Sequence, residues 1–191
     1  NRSSGKQGYA IAAALAELGA EVTLVSGPTA LAAPTGVTRI DVESALEMQA
    51  ATQSALPADI AVLSAAVADW RIDTIAGGKI KKGPGGPPTL ALIENPDILA
   101  GVAAPGPNRP ALVIGFAAET TDLEANARAK LSRKGCDWIL GNDVSDDVFG
   151  SDGNAVLLVT ADKTETWPRQ SKTAIARAVA ARIADHFKAP E

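Results

Sequence analysis

Short runs of aliphatic residues alternate along the chain with segments whose apolar residues recur at intervals of three or four. Continuous apolar runs are typical of strands in sheets covered by helices, whereas the longer interval predicts helices. This alternation predicts an α/β fold, a Rossmann-like, doubly wound and mostly parallel sheet with helices on both faces. The predicted strands are residues 21–27, 37–42, 59–65, 89–93, 111–116 and 138–140, with an edge hairpin at 155–160 and 165–167.

Helical spacing defines five segments between these strands. They are residues 9–18, residues 44–56, a helix starting near residue 95, residues 122–134 and a last helix after residue 171. Asn95 is the expected cap of the third helix, because Pro96 suits a first helical turn. The expected buried faces of the second and last helices consist of Leu46, Met48, Ala51 and Leu56, and of Ile175, Val179, Ile183 and Phe187.

The length of 191 residues is that of one domain with a sizeable core. Neither a repeat nor a linker marks a second domain, so we expect a single domain over residues 1–191. The first predicted element is a helix, although an α/β sheet ordinarily opens with a strand. We therefore expect a first strand upstream of residue 1.

Composition excludes several classes of partner. The net charge is −4, from 18 basic and 22 acidic residues, so nothing indicates nucleic-acid binding. No apolar stretch approaches the roughly 18 residues that span a bilayer, so we expect no membrane association. The single cysteine, Cys136, excludes an internal disulfide and is compatible with the reducing cytoplasm.

The candidate chemistry follows the apolar run at residues 59–65. Small residues come first, Ala65 and Ala66, which would let a ligand approach the backbone, and Asp69 comes next. Ligands of open α/β sheets bind at such carboxyl ends of strands. A segment between glycines and prolines then carries three lysines, Lys79, Lys81 and Lys82. A cationic segment of this kind suits an anionic ligand.

Other polar residues are predicted at the same end of the sheet. Lys130 and Lys134 lie one turn apart on one helix face, and Asp97 and Asn142 lie near two further strand ends. Several lysines in one crevice suit a polyphosphate, because each supplies a compact positive charge. The residues alone thus predict an α/β domain that binds a phosphorylated ligand.

The start of the first helix is a second candidate for phosphate binding. Ser3, Ser4 and Gly5 precede the helix, where free N–H groups and the positive end of the helix dipole are receptive to anions. A plain serine-capped helix explains the same residues. The glycine spacing and final Lys-Ser/Thr pair of a Walker loop are absent from the sequence.

Three kinds of catalytic site are not supported by the residues. The one histidine, His186, lies in the last helix, so a Ser-His-Asp arrangement is not available. Cys136 follows Gly135 at a helix end without a basic partner and is expected to be structural. No cluster has the spacing of a zinc site.

Five sequence motifs stand in one order and carry a family resemblance. They are residues 1–8 (Asn-Arg-Ser-Ser-Gly-Lys-Gln-Gly), 65–71 (Ala-Ala-Val-Ala-Asp-Trp-Arg), 79–82 (Lys-Ile-Lys-Lys), 95–98 (Asn-Pro-Asp-Ile) and 115–120 (Gly-Phe-Ala-Ala-Glu-Thr), with 142–144 (Asn-Asp-Val) in support. Together they resemble phosphopantothenoylcysteine synthetase, the ligase of coenzyme A biosynthesis. The resemblance covers essentially the whole chain, but the family's preceding Gly-Thr-rich strand and an arginine before the asparagine are not in this sequence.

The resemblance implies a reaction. Members of this family join 4′-phosphopantothenate to L-cysteine, and bacterial members use CTP with Mg²⁺ through an acyl-cytidylate. They are commonly fused to a flavin-dependent decarboxylase half. The implied partners of this chain are therefore CTP, 4′-phosphopantothenate, L-cysteine and such a half, in the cytoplasm.

The resemblance also implies roles for individual residues. Asn1 and Lys79 match catalytic positions, for handling the acyl-cytidylate and for neutralising charge at the nucleotide. Asn1 also matches a substrate-binding position, as do Ala65 and Ala66 beside the pantothenate. The implied nucleotide-binding residues are Ser3, Ser4, Gly5, Lys6, Asp69, Lys79, Asn95, Pro96, Asp97, Ile98, Phe116, Lys130 and Lys134; metal ligands are not implied.

A homodimer is expected, because a lysine segment flanked by glycine and proline needs an outside surface to order it, and in this family it reaches the partner subunit's site. Two other classes of function stay open. One is a Rossmann-like nucleotide-dependent oxidoreductase, although the sequence lacks a Gly-x-Gly-x-x-Gly motif. The other is a nonenzymatic nucleotide-binding or assembly module.

Overall fold

A computed structural model describes residues 3–73, 89–119, 121–143 and 153–188. The helices are α1 (Lys6–Glu17), α2 (Ala45–Ser54), α3 (Ile98–Ala103), α4 (Leu123–Lys134) and α5 (Lys172–Phe187). The strands are β1 (Val22–Ser26), β2 (Val37–Asp41), β3 (Ile60–Leu63), β4 (Trp70–Ile72), β5 (Leu92–Glu94), β6 (Leu112–Glu119), β7 (Trp138–Asp143), β8 (Gly153–Val159) and β9 (Thr164–Ser171). The alternation of strands and helices confirms the predicted α/β class.

The main sheet has five strands in the order β3-β6-β7-β8-β9. Strands β3, β6 and β7 are parallel, whereas β8 is antiparallel to β7 and β9 to β8. This arrangement confirms the mostly parallel sheet with an edge hairpin. Strands β1 and β2 form a separate parallel pair.

Strands β4 and β5 form a two-stranded antiparallel ribbon apart from both sheets. The strand expected at residues 89–93 is therefore shifted, and it pairs with β4 instead of joining the main sheet. Strand β4 is not predicted from the sequence, because its three residues are too few for a strand period to be recognised.

The apolar core covers both faces of the main sheet, because alternate side chains of a strand point to opposite faces. Leu112 and Ile114 of β6 pack with α1 and α5 on one face. Val113, between them, packs with α3 and α4 on the other face. All three are fully buried, and burial of such a side chain contributes about 2 kcal/mol.

Strand β3 is shorter and less buried than predicted. It spans only Ile60–Leu63, and each of its residues is half-buried rather than buried. Among the described residues β3 forms an edge of the main sheet, with β6 as its neighbour, so one side of the strand is left open. Strand β1 is paired only with β2 among the described residues, so it also has one open side. The strand expected upstream of residue 1 stays a prediction.

Two predicted helix faces are partly wrong. Helix α2 has no buried residue and Leu46 is exposed, because the helix lies on the small β1–β2 pair. Met48 does pack against the core on the α3 side. Phe187 of α5 is exposed because it ends the helix. The rest of the predicted α5 stripe is buried, namely Ile175, Val179 and Ile183.

Candidate functional site

Segments from four elements are joined in a chain of contacts beside β3 and β6. They are the tip after β3 (residues 64–69), the middle of β6, the start of α3 and the last two turns of α4. Hydrogen bonds or ion pairs join each segment to the next, as described below. Of the predicted polar residues, the structure brings Asp97, Lys130 and Lys134 together next to the tip after β3. Asn142 lies in β7 opposite Ala118 of β6.

The tip after β3 is made of small, exposed residues. Ala65, Ala66 and Asp69 are exposed, whereas Val67 is half-buried and packs against the core on the α3 side. One apolar anchor thus fixes the tip and leaves its other residues accessible. This arrangement fits the close approach of a ligand to the backbone.

Asn95 does not cap α3, so the predicted cap is wrong. The cap is Asp97, whose Oδ1 accepts a hydrogen bond from the Ala100 N–H at 3.0 Å. The Asn95 side chain instead donates from Nδ2 to the Ala68 carbonyl at 2.8 Å. Its backbone N–H donates to the Asp69 carbonyl at 2.7 Å. Asn95 therefore fastens the start of α3 to the tip after β3.

Lys134, at the end of α4, forms an ion pair with Asp97. Its Nζ contacts Oδ2 of the carboxylate, and the lysine side chain is only 20% exposed. Burial by itself raises the pKa of Asp97, but it is outweighed by hydrogen bonds from Lys134 and the Ala100 N–H and by the charges of Lys134 and Arg133, so this pKa is lowered. The ionised carboxylate holds the Lys134 ammonium beside the start of α3.

Lys130, one turn earlier in α4, reaches the middle of β6. Its Nζ donates to the Phe116 carbonyl at 2.6 Å, and Phe116 itself packs against the core on the α5 side. Lys130 and Lys134 thus lie on one helix face, as their spacing predicts. They place two ammonium groups in a corner bounded by β6, α3 and α4.

Pro96 and Ile98 complete the segment that starts α3. Pro96 is half-buried. The Ile98 side chain is part of the core on the α3 side, so only its backbone could face a nucleotide. Burial of Ile98 anchors the short helix and with it the carboxylate of Asp97.

Helix α1 starts at the same end of the strands. The Tyr9 hydroxyl lies 2.8 Å from Ser26 Oγ at the end of β1. A Cβ added to Gly8 would lie 2.6 Å from Ser64 Oγ, just after β3. The first turns of α1 therefore lie against the ends of both strands, and a side chain at position 8 would displace Ser64.

The residues before α1, Ser3 to Gly5, are the second candidate for phosphate binding. Gly5 precedes the helix with φ 72°, in the left-handed region that favours glycine. Ser3 Oγ accepts a hydrogen bond from the Gly5 N–H at 3.4 Å, and Ser4 Oγ accepts one from the Lys6 N–H at 3.5 Å. These are contacts between residues two positions apart, and the N-cap of α1 is Gly5, which makes no side-chain cap hydrogen bond. The interpretation as a plain serine-capped helix is therefore wrong, and phosphate binding at this helix start stays a prediction.

Several predicted site residues lie outside the described residues. Asn1 is one of them, and so are the lysines of the segment between β4 and β5, namely Lys79, Lys81 and Lys82. Their roles stay predictions.

Arg71, at the end of the motif at residues 65–71, is a candidate functional residue that the sequence pattern does not indicate. Its Nη1 donates to the Glu94 carbonyl across the ribbon and lies 3.5 Å from Asn95 Oδ1. The signal available in the sequence is its position, since an arginine two residues after the tip can reach neighbouring loops.

Cys136 and His186 lie away from this corner. Cys136 is buried in the core on the α3 side, and burial raises the pKa of its thiol, which confirms the structural role expected for it. His186 is exposed near the end of α5, and its ring meets the Trp138 ring edge-on at 5.3 Å between centroids.

The part of the chain that the structure describes has no group of three or more histidine, cysteine, aspartate or glutamate residues able to hold a metal ion. Within the same ranges, no helix is long and apolar enough to cross a membrane.

The fold and this corner define a class: a Rossmann-like α/β domain whose strand ends carry a small-residue tip beside two lysines. Residues 1–187 match the family described as "DNA/pantothenate metabolism flavoprotein C-terminal domain". The chain belongs to this family. Curated relatives share about half of its residues over most of its length.

Two of these relatives are coenzyme A biosynthesis bifunctional proteins CoaBC. The one from Vibrio cholerae serotype O1 is 50% identical over 183 residues, covering 94% of this chain and 46% of the relative. The one from Escherichia coli K12 is 49% identical over 177 residues, covering 90% of this chain and 43% of the relative. The chain thus spans a little under half the length of the curated relatives it matches.

Solved structures agree with the fold. The crystal structure of the C-terminal domain of a coenzyme A biosynthesis bifunctional protein CoaBC has a TM-score of 0.79 and 36% identity, covering 98% of this chain and 85% of the other. A structure titled as the DNA/pantothenate metabolism flavoprotein from Streptococcus pneumoniae has a TM-score of 0.77 and 20% identity, covering 98% of this chain and 90% of the other. At that identity, the second likeness supports the fold alone.

Proposed function

We propose that this chain is a ligase domain that joins 4′-phosphopantothenate to L-cysteine with CTP as cosubstrate. The observation that carries the proposal is the corner where Lys130 contacts β6 and Lys134 contacts the start of α3, which is itself bonded to the tip after β3. Two cations beside an exposed tip suit a nucleotide next to a carboxylate acceptor. Membership of the family supports the same reaction.

The proposed chemistry has two displacements. A carboxylate oxygen of phosphopantothenate attacks the α-phosphorus of CTP, the bond to the bridging oxygen breaks, and pyrophosphate leaves. The amine of cysteine then attacks the activated carbonyl carbon, loses a proton, and CMP leaves as the amide forms. The first step needs positive charge near the departing pyrophosphate, because charge develops there in the transition state.

Each lysine of the corner has a proposed part. Lys134 would exchange its contact with Asp97 for a contact with a phosphate oxygen. Lys130 would keep its hydrogen bond to the Phe116 carbonyl of β6 or turn to the nucleotide. Lys79 is proposed to neutralise charge at the nucleotide. Asn1 is proposed to donate a hydrogen bond to the acyl-cytidylate, which an amide can do and a carboxylate cannot.

Magnesium does not fit a site built by the described residues alone. They offer no cluster of three ligating side chains, and Asp97 is already engaged with Lys134 and Ala100. Mg²⁺ commonly binds through substrate phosphates and only one or two carboxylates. We therefore propose that Mg²⁺ enters with CTP, and we assign it no protein ligands.

A homodimer is proposed through the ribbon of β4 and β5. Trp70, Ile72 and Leu92 are 55%, 43% and 57% exposed, and Ile72 lies opposite Leu92 in the ribbon register. Because side chains alternate along a strand, Trp70 and Ile72 share one face with Leu92. A two-stranded ribbon is marginally stable by itself, and an exposed apolar face of this kind marks an interaction surface. A second copy of the ribbon is the proposed cover.

The setting of the domain is also proposed. The bifunctional relatives are about twice as long as their match to this chain, so we propose fusion or association with a flavin-dependent decarboxylase half. A cytoplasmic location accompanies this proposal, because CTP and cysteine are its substrates.

Mass spectrometry of one mixture tests the function. The protein is incubated with CTP, Mg²⁺, phosphopantothenate and cysteine, and pyrophosphate and the cysteine conjugate are measured. Omission of cysteine should leave pyrophosphate release and an enzyme-bound acyl-cytidylate. Binding of CTP without turnover would favour a nonenzymatic nucleotide-binding module. Reduction or oxidation of an added nicotinamide nucleotide would favour the oxidoreductase alternative.

A further inference from the structure

The tip after β3 and the start of α3 are joined by a compact set of polar contacts, which we call the loop clasp. It consists of Ala68, Asp69, Arg71, Glu94 and Asn95. Asn95 contributes two hydrogen bonds, from Nδ2 to the Ala68 carbonyl at 2.8 Å and from its N–H to the Asp69 carbonyl at 2.7 Å. Arg71 donates to the Glu94 carbonyl, and its Nη1 lies 3.5 Å from Asn95 Oδ1. One amide and one guanidinium thus join the two segments.

The clasp lies outside the apolar core. None of its members belongs to either core cluster of the described residues, and the ribbon that contains Arg71 and Glu94 carries exposed apolar side chains. The position of the tip relative to α3 therefore depends on polar contacts with a definite geometry. Val67 anchors the tip on one side, and Ile98 anchors α3 on the other. The clasp sets the spacing between these two anchors.

We propose that Arg71 and Asn95 are positioning residues, which act through the loop clasp to fix the tip after β3 against the start of α3. This inference rests on the proposed function. Asp97, which holds Lys134, is two residues after Asn95, whereas Ala65 and Ala66 lie just before the clasp on the other side. A shift in the clasp would change the distance between the attacking carboxylate and the α-phosphorus.

The expected effect is on the rate of the first displacement. Bringing two bound reactants to attack distance is sensitive to position, and a misplacement of about 1 Å costs on the order of 100-fold in rate. The Asn95 side chain is engaged with the Ala68 carbonyl, so in this inference it positions the loop and does not itself bind the nucleotide. The other binding contacts of each substrate are retained when the clasp is broken. We therefore expect loss of the clasp to lower kcat for pyrophosphate release much more than it raises either KM.

The test uses steady-state pyrophosphate release with CTP and phosphopantothenate varied separately. Arg71→Met removes the guanidinium and keeps the aliphatic stem. Asn95→Asp replaces the donor to the Ala68 carbonyl with a carboxylate, which repels that oxygen. Arg71→Lys restores one donor and should recover part of the rate. The matched control is Arg177→Met, which removes an arginine that is 68% exposed on α5, and whose Nε lies 3.8 Å from Glu17.

Arg71→Met and Asn95→Asp should each lower kcat tenfold or more, with both KM values within about threefold of wild type and thermal midpoints unchanged. Arg177→Met should behave as wild type. The inference is overturned if kcat is unchanged in both clasp variants, or if their loss of rate is explained by unfolding at the assay temperature. In either case, turnover by the wild-type protein leaves the proposed function intact. If the wild-type protein itself releases no pyrophosphate, the proposed function fails first and the inference fails with it.

Discussion

Lys134 at the end of α4 is paired with Asp97 at the start of α3, so two helices from different parts of the chain share one ion pair at the candidate site. The lysine is mostly shielded, and its partner carboxylate also caps a helix. An incoming phosphate would compete with Asp97 for this ammonium group. Under the proposed function, the pair would therefore connect nucleotide binding to the local stability of α3.

Lys134→Met should raise the apparent KM for CTP about tenfold, because a hydrogen bond to a charged group contributes about 1.5–3 kcal/mol. The difference from wild type should shrink as salt is added, since screening weakens the wild-type interaction. Arg133→Met, which changes the neighbouring charge on the same helix, is the control. Equal KM values for Lys134→Met and wild type would remove Lys134 from the nucleotide site.

The pKa of Asp97 is lowered in the folded protein, so its stabilising effect is present above the pKa of the unfolded chain, about 3.9. The effect is lost as pH falls through the folded value. Asp97→Asn, which keeps a good helix cap, should therefore be less stable than wild type near neutral pH. The difference should vanish in acid. Denaturant unfolding at several pH values measures it, and a difference independent of pH would contradict the ion-pair explanation.

Gly115→Ala should destabilise the protein by about 1–3 kcal/mol, because the added Cβ would lie 2.6 Å from Leu99 Cδ2 and 2.9 Å from Ile139 Cδ1 in the core. Since Leu99 belongs to α3, the same change should also move Asp97 and raise the KM for CTP. Gly101→Ala is the matched control, because a Cβ there meets nothing within 4 Å. It should be neutral or stabilising. Equal stability of the two variants would show that α3 does not depend on close packing at Gly115.

Replacing an apolar residue of the ribbon face should weaken the proposed dimer. Leu92→Ser removes an exposed apolar side chain from that face, so sedimentation should shift toward the monomer at micromolar concentration. Leu46→Ser makes the same chemical change at an exposed position of α2 and should leave the assembly unchanged. A wild-type protein that sediments as a monomer would count against the dimer itself.

Lys79→Gln should greatly lower the rate of the first displacement, in which pyrophosphate is released. Loss of one positive charge at a developing negative centre costs on the order of 3 kcal/mol, or 100-fold and more in rate. Pyrophosphate release with CTP and phosphopantothenate is the measurement. A rate within threefold of wild type would identify Lys79 as a surface lysine without a part in this step.

The sequence pattern predicts the sheet class and the positions of most helices, because apolar spacing and turn residues act locally. The spacing of Lys130 and Lys134 is a local property of this kind, and their shared face is confirmed. The role of Asn95 was missed, since a side chain that bonds to Ala68 across the ribbon depends on tertiary contacts. The exposure of Leu46 was missed for a similar reason: spacing reveals an apolar face but not what lies opposite to it.

The open edges of β1 and β3 have a consequence for how the molecule unfolds. The β1–β2 pair has no strand partner in the main sheet among the described residues, and α1 packs against both β1 and α5. The free energy needed to open a region increases with the density of its buried contacts. Backbone amide hydrogens of β1 and β2 should therefore exchange with solvent through local openings that leave the rest of the domain folded. Amides of β6 and β7, buried between two layers of helices, should exchange only when the whole domain unfolds.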